Sequence, residues 1–280
     1  MLSILIPTYN YDCSSLVYDL DTMCARTGIE YEIIVGNDGS TANMQNLKNL
    51  SQTLEHFKFL DFKENRGRSI IRNTLAKEAK YEKLLFIDSD MKVYKSDFIQ
   101  LYAKENSPIV AGGIKVLEDK NPTYILHKKY EQNRSTGIAT TQNLLVRKDV
   151  FDEVRFIENV KKYGYEDIIF SHRLDKMYGI KFIYNPLIHN GPIPTDIFIQ
   201  RLGESTEMLI ELYKNDKYHK DIVESSKLLR AYLKIKKVKG LYLLLFKLTK
   251  AFIVKQLRSK NPSMFLMDMY KLGLLCERIK

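Results

Sequence analysis

Residues 83–90 have the sequence Lys83-Leu84-Leu85-Phe86-Ile87-Asp88-Ser89-Asp90. The apolar run from Leu84 to Ile87 predicts a buried strand of a parallel sheet, since such strands are apolar on both faces. Asp88 and Asp90 follow directly, at the sheet edge where α/β proteins bind ligands. Alternate side chains of an extended chain share a side, so both carboxylates can bind one divalent cation. Aspartates are also common in plain turns, and this motif alone does not separate the two interpretations.

The first ninety residues alternate predicted strands with predicted helices. Strands are expected at 2–6, 31–35, 57–62 and 84–87. Helices are expected from residue 12 or 14 to about 26, then at 43–55 and at 69–80. This alternation predicts right-handed crossovers and a mostly parallel sheet that helices cover on both faces. The predicted fold class is therefore α/β.

The rest of the chain is less regular and then becomes helical. We expect a helix near 96–104, a helix that opens at Gly164, and strands at 109–114, 143–147 and 181–184. The segment 120–140 has no clear pattern, and His189 is expected in the loop after the last strand. From about residue 195 the pattern is helical. We expect an α/β domain at 1–194 and a basic helical region at 195–280.

The composition is that of a folded protein whose basic charge is confined to one end. The chain has 280 residues, of which 45% are hydrophobic, and a formal net charge of +10. Residues 1–226 hold 30 Lys and Arg against 32 Asp and Glu, whereas residues 227–280 hold 14 against 2. Cys13, Cys24 and Cys276 are widely spaced, which indicates a reducing compartment rather than disulfides or a zinc site.

We expect no targeting segment and no membrane-spanning segment. The N-terminus has no basic leader and a very short apolar run, which is typical of a first strand and not of a secretory signal. The apolar segment 241–246 ends before Lys247, far short of the roughly 20 apolar residues that a spanning helix needs. These features favour a cytoplasmic protein.

Polar residues fall at or just beyond several predicted strand ends, and others follow later. The set consists of Thr8, Asp38, Arg72, Asp88, Asp90, Glu166, Asp167 and His189. Their order and spacing resemble the family 2 glycosyltransferases of the GT-A fold over roughly residues 2–190. The matching segments are Pro7-Thr8-Tyr9-Asn10, Asn37-Asp38-Gly39-Ser40, Asn65-Arg66-Gly67, Arg72-Asn73, Asp88-Ser89-Asp90 and Tyr165-Glu166-Asp167.

The resemblance implies a GT-A type fold, which is a Rossmann-like, mixed and mostly parallel sheet flanked by helices. The domain at 1–194 would then bind a nucleotide sugar, and the helices from 195 onward would be a C-terminal extension. One residue departs from the family pattern, because the first Asp of the usual Asp-Asp-Gly-Ser is Asn37 here. The second, Asp38, is retained, so donor binding is expected to be kept while the base preference stays open.

The resemblance also implies roles for single residues. Those expected to bind the donor are Thr8, Tyr9, Asp38, Arg72, Asp88 and Ser89. Asp38 would contact the nucleobase, and Asp90 would bind a divalent metal directly, while Asp88 would contact the ribose or a metal-bound water. His189 would be a further metal ligand, and imidazole suits Mn²⁺ better than Mg²⁺. Arg72 would contact the diphosphate or hold Asp88 in place.

Transfer of a sugar also requires a base for the acceptor hydroxyl, and a carboxylate can take that proton. We assign this role to Asp167, with Glu166 binding the acceptor or orienting the site. The implied reaction is a single displacement from a UDP-sugar with inversion at the anomeric carbon. The cofactor would be Mn²⁺ or Mg²⁺, and the acceptor a glycan or a lipid-linked glycan. The implied setting is bacterial polysaccharide biosynthesis.

The sequence leaves two other functions open. A nucleotidyltransferase also places Asp pairs at a sheet edge, but normally has a glycine-rich and basic triphosphate loop, which Pro7-Thr8-Tyr9-Asn10 is not. A non-catalytic scaffold at the membrane would bind a nucleotide without turning it over. Single residues also have plainer interpretations: Glu166 and Asp167 suit the first turn of any helix, and a lone loop histidine is often only solvated.

The basic C-terminal segment allows three interpretations. It is a solvated helical face, a nucleic-acid surface, or an interfacial helix on anionic lipid. The Leu-rich stretch 241–246 has no use in phosphate binding but suits the acyl boundary of a bilayer. We therefore expect residues 227–260 to associate with an anionic membrane surface, which would make the enzyme peripheral on the inner face of the plasma membrane, and we expect no nucleic-acid partner.

Overall fold

The computed structural model describes residues 1–117, 121–134, 139–158 and 164–279. The chain divides into two compact units. The first unit comprises Met1–Leu117, Ser135–Val160 and Arg173–Gly191. The second unit comprises Glu118–Arg134, Lys161–His172 and Pro192–Lys280. The C-terminal helices thus group with two earlier segments, and the division into 1–194 and 195–280 stays a prediction.

Strands and helices alternate through the first ninety residues, as the sequence predicts. The strands are β1 (Leu2–Thr8), β2 (Tyr31–Asp38), β3 (Phe57–Phe62), β4 (Lys83–Ile87), β5 (Met91–Val93), β6 (Ile109–Ala111), β7 (Ile114–Lys115), β8 (Asn143–Arg147), β9 (Lys181–Phe182) and β10 (Leu187–His189). The helices are α1 (Ser14–Thr27), α2 (Gln45–Thr53), α3 (Arg68–Glu78), α4 (Phe98–Lys104), α5 (Ile125–Arg134), α6 (Lys148–Glu153), α7 (Glu166–Tyr178), α8 (Thr195–Lys214), α9 (Asp216–Ser225), α10 (Lys227–Ile235), α11 (Lys239–Leu257) and α12 (Met264–Arg278).

The first unit is built on a mixed sheet of seven strands in the order β3-β2-β1-β4-β8-β6-β9. The four strands β3, β2, β1 and β4 run parallel to one another, whereas β8 runs antiparallel to both β4 and β6. A smaller sheet has the order β5-β10-β7. The prediction of a mixed and mostly parallel α/β sheet is confirmed.

Helices cover both faces of β2, because alternate residues of this strand meet different helices. Val35 of β2 belongs to the same buried cluster as Leu16 and Leu20 of α1. The next residue, Gly36, faces Ile71 of α3, so closely that a Cβ would lie 2.8 Å from the Ile71 Cδ1. Residues on both faces of β1, β2 and β4 are buried, which explains the largely apolar sequences of these strands, whereas β3 at the sheet edge is partly exposed.

Two of the predicted elements differ in kind, and the strand expected at 181–184 is shorter, since β9 covers only Lys181–Phe182. The expected strand at 109–114 is two strands, β6 and β7, which belong to different sheets. Gly112 and Gly113 separate the two strands, and Gly113 has a positive φ of 76°. Any side chain at Gly112 would collide with the hydroxyl of Tyr102, which donates to the Asn143 Oδ1 at 2.6 Å. The expectation that His189 lies in a loop is wrong, since it is the last residue of β10 and pairs with Met91 of β5. A strand of three residues is too short to show a pattern in the sequence.

The second unit has its own apolar core, formed by α5, α8, α11 and α12. The buried residues of this core are Leu126, Phe198, Ile199, Leu202, Phe246, Ile253, Leu257, Met267, Tyr270 and Leu274. The prediction that the chain is helical from Thr195 onward agrees with these elements. Among the described residues, no helix is both long enough and apolar enough to cross a membrane.

The contact of α11 with α12 depends on a glycine. A Cβ on Gly273 would overlap the ring of Phe246, which is buried. We expect Gly273→Ala to lower the free energy of unfolding by about 1–3 kcal/mol, because overpacking a rigid core forces the neighbours apart. Gly240→Ala is the matched control, since a Cβ there meets nothing within 4 Å and alanine favours a helix. Thermal melts of both variants measure the effect, and equal stabilities would contradict this account of the packing.

Candidate active site

Polar side chains from three neighbouring parallel strands reach one edge of the large sheet. Strand β1 lies between β2 and β4, with Thr8 opposite Asn37 and Leu5 opposite Phe86. Thr8 and Asp38 are the last residues of β1 and β2, and Asp88 directly follows β4. Because the three strands run in the same direction, these residues leave the sheet at its carboxyl edge, where α/β proteins bind ligands.

The turns after β1 and β2 are fastened to each other through Asn10. Its side-chain oxygen accepts hydrogen bonds from the backbone N–H groups of Thr41 and Ala42, at 2.8 Å and 3.1 Å. The backbone N–H of Asn10 donates to the Ser40 hydroxyl at 2.7 Å. Asn10 has a positive φ of 53°, which asparagine tolerates better than most residues. Nearby, the Thr8 hydroxyl donates to the carbonyl of Tyr11 at 2.6 Å.

The residue that departs from the family pattern, Asn37, is buried and bonded through both ends of its amide. Its Nδ2 donates to the Asp61 carboxylate at 2.7 Å, and its Oδ1 accepts from the backbone N–H and the hydroxyl of Ser40. Asp61 is also paired with Lys48 at 2.8 Å. Hydrogen bonds from Lys48 and from Asn37 hold the pKa of the Asp61 carboxyl below its ordinary value. Asn37 thus joins the ends of β2 and β3.

Asp38 holds the segment that leads into α3. Its two carboxylate oxygens accept hydrogen bonds from the backbone N–H groups of Arg66 and Gly67, at 2.8 Å and 2.9 Å. The side chain is almost fully buried. A carboxylate oxygen has two lone pairs, so these contacts leave acceptor capacity for a ligand. Asp38 therefore positions the loop at 64–67.

Arg72 of α3 forms a largely buried ion pair with Asp88. Its Nη2 donates to the Asp88 Oδ1 at 2.7 Å, and its guanidinium lies over the Phe156 ring. Burial alone would raise the pKa of the Asp88 carboxyl, but the charges of Arg72 and Arg68 and the hydrogen bond from Arg72 hold it below its ordinary value. Asp88 is therefore ionised at neutral pH.

Two N–H groups of Arg72 lie buried without a hydrogen-bond partner among the described residues. They are Nε and Nη1. Buried donors are normally paired, and an orphaned one costs free energy. A bound anion or a water molecule would satisfy them, which fits the expectation that Arg72 contacts a diphosphate or supports Asp88.

Asp90 and His189 meet at the edge of the small sheet. The His189 Nε2 lies 3.0 Å from the Asp90 Oδ2, and the backbone N–H of Asn190 donates to the carbonyl of Asp90 at 2.8 Å. The contact follows from strand pairing, since β5 begins one residue after Asp90 and β10 ends at His189. Ser89 lies half-buried in the turn between the two acids.

These side chains fit a divalent cation. Two ligands in neighbouring positions around a metal at about 2.1 Å lie about 3.0 Å apart, which is the separation of the Asp90 and His189 atoms. Two carboxylates and an imidazole form a donor set that suits Mn²⁺ better than Ca²⁺ or Mg²⁺. Asp90 and His189 would bind the ion directly, with Asp88 beside them.

Gly191 provides the space that Asp90 occupies, and no sequence pattern selects it. A Cβ on this residue would lie 2.7 Å from the Asp90 Oδ2 and 3.1 Å from its Cβ. Any side chain at 191 would therefore press on the oxygen that contacts His189. The pair Asn190-Gly191 is a common turn signal, but turn signals do not indicate a neighbour that is distant in sequence.

Phe156 is a second residue that sequence reasoning missed. It lies under the Arg72 guanidinium, and Asn73 holds it in place through two hydrogen bonds to its backbone. The Asn73 Nδ2 donates to the Phe156 carbonyl at 2.9 Å, and the Phe156 N–H donates to the Asn73 Oδ1 at 3.1 Å. Arg72 thus forms the ion pair with Asp88, and the next residue, Asn73, holds the aromatic ring that packs against Arg72. No local signal around Phe156 points to this contact.

Glu166 and Asp167 belong to the second unit, where they form the first turn of α7. Glu166 is buried, and its Oε2 accepts from the backbone N–H of Gly164 at 3.0 Å. The preceding Tyr165 has a positive φ of 67°, an uncommon conformation for an aromatic residue. Asp167 is half-buried and accepts from the N–H of Ile168 at 2.9 Å. Glu166 is thus engaged in holding the start of its own helix.

Tyr9, the remaining residue of the expected donor site, lies in the first unit. It follows β1 directly, and its side chain is half exposed. An exposed aromatic ring beside Thr8 leaves a face open to a ligand at this edge.

The fold occurs among nucleotide-sugar transferases. The mannosyltransferase PcManGT of Pyrobaculum calidifontis was solved with GDP-Man and Mn²⁺. Its structural alignment covers 98% of this chain and 86% of the mannosyltransferase chain, with a TM-score of 0.58 and 15% sequence identity. TarS 1-349 of S. aureus, solved with UDP-GlcNAc, matches 97% of this chain and 90% of its own, with a TM-score of 0.52 and 15% identity. Both have the GT-A fold, and at these identities the similarity shows the fold of this chain.

The family follows from the sequence. The model described as Glycosyl transferase family 2 matches residues 3–168, which is more than half of the chain. The chain belongs to this family and is a glycosyltransferase. This membership favours glycosyl transfer over the nucleotidyltransferase and scaffold alternatives.

A curated relative matches a smaller part of the chain. Chondroitin synthase of Escherichia coli is 29% identical over 130 residues, which are 44% of this chain and 19% of that protein. The chain spans about a fifth of the length of this relative. The match therefore concerns a part of that protein and does not transfer its whole activity.

The fit of Gly191 against Asp90 gives a prediction. We expect Gly191→Ala to weaken Mn²⁺ binding by about 10- to 100-fold, as is typical when a residue that positions a metal ligand is changed. Isothermal titration of Mn²⁺ into the full chain measures this affinity. Gly240→Ala, where a Cβ meets nothing, is the control. If Gly191→Ala melts at the same temperature and binds Mn²⁺ with unchanged affinity, the space at residue 191 is not needed to place the Asp90 oxygen on the metal.

Proposed function

We propose that this glycosyltransferase moves a sugar from a UDP-sugar to a hydroxyl of a glycan or lipid-linked glycan, with inversion at the anomeric carbon. The observation that carries the proposal is the pair of contacts around Asp88-Ser89-Asp90. Arg72 holds the first acid and His189 meets the second. A diphosphate leaving group needs positive charge at this edge. Arg72 supplies such a charge, and Asp90 with His189 would hold a cation that supplies more.

The donor would bind along the carboxyl edge of the parallel strands. The nucleoside would lie over the turns after β1 and β2, near Thr8, Tyr9 and Asp38. Each carboxylate oxygen of Asp38 accepts only one hydrogen bond within the chain. Each therefore keeps a lone pair that could accept a hydrogen bond from an N–H group of the nucleobase. The complex of TarS with UDP-GlcNAc supports a uridine nucleotide, and the complex of the mannosyltransferase with GDP-Man keeps guanosine as the alternative.

A divalent cation would be held by Asp90 and His189, with Asp88 contacting it through water or binding the ribose. When bound, the ion supplies Lewis-acid stabilisation of the charge that grows on the departing diphosphate. Arg72 would support this site by keeping Asp88 ionised and by offering its buried N–H groups to a phosphate oxygen. The presence of Mn²⁺ in the mannosyltransferase complex supports manganese.

Asp167 would be the general base. The acceptor oxygen forms a bond to the anomeric carbon while the bond to the diphosphate oxygen breaks, and the electron pair leaves with the diphosphate. The proton of the acceptor hydroxyl passes to the Asp167 carboxylate. Glu166 would orient this part of the chain, since it is buried and bonded to the backbone at Gly164. A single displacement of this kind inverts the configuration and needs no covalent intermediate.

The acceptor and the biological setting are inferred from the curated relative and from the cysteines. The curated relative is a bacterial enzyme named for making a polysaccharide, and this supports a role in bacterial polysaccharide biosynthesis. The three cysteines are free and buried, which supports a cytoplasmic location where they would stay reduced. In this proposal residues 1–194 form the transferase domain and residues 195–280 the C-terminal extension.

Titration of nucleotides tests the donor site. We expect UDP to bind in the presence of Mn²⁺ and to bind at least about tenfold more weakly in a chelator, because the diphosphate loses its counter-charge. GDP is titrated in parallel as the control for the base. Tighter binding of GDP than of UDP would reassign the donor, and equal UDP binding with and without the metal would overturn the metal site.

Two substitutions separate the donor site from the base. We expect Asp90→Ala to weaken metal-dependent UDP binding, and Asp167→Asn to leave that binding nearly intact while lowering the transfer rate by about 10²- to 10⁴-fold. Asp19→Asn, on the exposed side of α1, is the control. Binding is measured by titration and transfer by release of UDP. Normal transfer by Asp167→Asn would sink the assignment of the base.

A further inference from the structure

Helix α11 carries a row of large apolar side chains on its exposed side. The row consists of Leu241, Leu244, Leu245, Leu248 and Phe252, with exposed fractions of 63%, 57%, 54%, 75% and 65%. Isolated exposed leucines are ordinary on protein surfaces, but a contiguous apolar patch marks a surface that meets a partner. These five residues form the apolar row of α11.

The apolar row is a separate face of the helix and not the rim of its packed face. Apart from the adjacent pair Leu244 and Leu245, its members are three or four residues apart, so they line one side of a helix with 3.6 residues per turn. Phe246, Ile253 and Leu257 are buried in the core of the second unit and lie on the opposite side by the same spacing. The helix is therefore apolar on two faces, and only one of them is covered within the second unit.

Basic side chains border the apolar row. Lys247, Lys250, Lys255 and Arg258 line a surface groove of about 600 Å³ on α11. Lys250 is paired with Glu277 and Arg258 with Asp196. In the described part of the chain, Lys247 and Lys255 form no ion pair, so their charges are available to an external anion.

The surrounding sequence strengthens this positive surface. Between residues 227 and 267 there are eleven Lys and Arg and no Asp or Glu. Long stretches without an acid are uncommon on a surface that only needs to be soluble, since mixed charges serve that purpose equally well. A partner that matches this surface therefore has an apolar layer and, next to it, an anionic layer.

We propose that α11 lies flat in the interface of an anionic lipid bilayer. The apolar row enters the acyl boundary, and Lys247 and Lys255 contact lipid phosphate groups beside it. Buried apolar area together with attraction to anionic headgroups holds a helix in the bilayer interface. The helix rests on the membrane without crossing it, in keeping with its lysines and with the face that it packs against the second unit.

Charge and shape argue against the two other partners. A second copy of this chain would bring two surfaces of net positive charge together, which is repulsive. A nucleic acid would accept the lysines, but it offers nothing to five exposed apolar side chains. The sequence indicated a membrane contact anywhere within 227–260, and the structure narrows it to one face of α11. Membrane contact of this kind goes beyond glycosyl transfer and does not depend on it.

Sedimentation of the full chain with lipid vesicles tests the proposal. Vesicles of phosphatidylcholine alone are compared with vesicles that also contain phosphatidylglycerol. We expect binding to the anionic vesicles that falls with salt, and binding that drops at least about tenfold in the double variant Leu248→Ser with Phe252→Ser. The variant Lys247→Gln with Lys255→Gln should lose a similar factor on anionic vesicles and little on neutral ones. Both pairs are exposed, so the fold is expected to persist, and thermal melts check it.

Matched variants control for general effects of surface change. Met177→Ser with Tyr184→Ser removes two exposed apolar side chains elsewhere, and Lys104→Gln with Lys214→Gln removes two exposed charges elsewhere. Both controls should bind vesicles like the unchanged chain. Equal recovery of the unchanged chain and the α11 variants would overturn the proposal. So would a dimer in light scattering that the serine pair dissociates without any vesicle binding, or binding to an oligonucleotide in place of vesicles.

Discussion

The parallel pairing of β1 with β2 and with β4 is the constraint on which the site depends. Parallel strands end at a common edge, so motifs that lie about 30 and 80 residues apart in the chain arrive side by side. The apolar residues of these strands are buried, which fixes the register of the strands. The polar residues that end or follow the strands therefore lie together at the carboxyl edge. Asp88 can then be held against Arg72, and the charges of Arg72 and Arg68 together with the hydrogen bond from Arg72 offset the effect of burial on the pKa of the Asp88 carboxyl. The geometry of the edge is a product of core packing before it is a product of any ligand.

Much of the fold could be predicted from the sequence, because buried parallel strands leave a strong apolar signal. The strands at 57–62 and 143–147 have the bounds that the sequence predicts. The break between β6 and β7 falls at Gly112-Gly113, a turn signal that the sequence interpretation overlooked, whereas the contact of Gly112 with the Tyr102 hydroxyl has no local signal. The same holds for His189, whose strand has three residues and is defined by its partner β5.

The candidate site shows the same division. Single residues such as Asp38, Asp88 and Asp90 carry a local signal, because an acid at the end of an apolar run is recognisable in one sequence. Gly191 and Phe156 act through contacts with residues about 80 to 100 positions away, and nothing in their own surroundings marks them. The grouping of α5 with the C-terminal helices is likewise invisible locally, since segment 120–140 has no clear period.

Asn37 shows how a departure from a family motif is accommodated. An ionised aspartate at this position cannot donate a hydrogen bond, and it would face the carboxylate of Asp61. The amide solves both problems, since its nitrogen donates to Asp61 while its oxygen keeps the contact with Ser40. The acid of the family motif is thus replaced by a neutral group beside another acid, and Lys48 balances the charge of that acid. The departure is a local exchange of charge, and Asp38 beside it is unaffected.

The link that Asn10 forms between the first two turns has a consequence for how a ligand is met. Both turns are already ordered, because the bonds from Thr41 and Ala42 fix their backbones in the free protein. The conformational entropy of these loops is lost when the chain folds. Binding of a nucleotide to the ordered loops therefore does not include that entropic cost. Recognition at this edge is then closer to the docking of two rigid shapes than to the wrapping of a flexible loop around its guest.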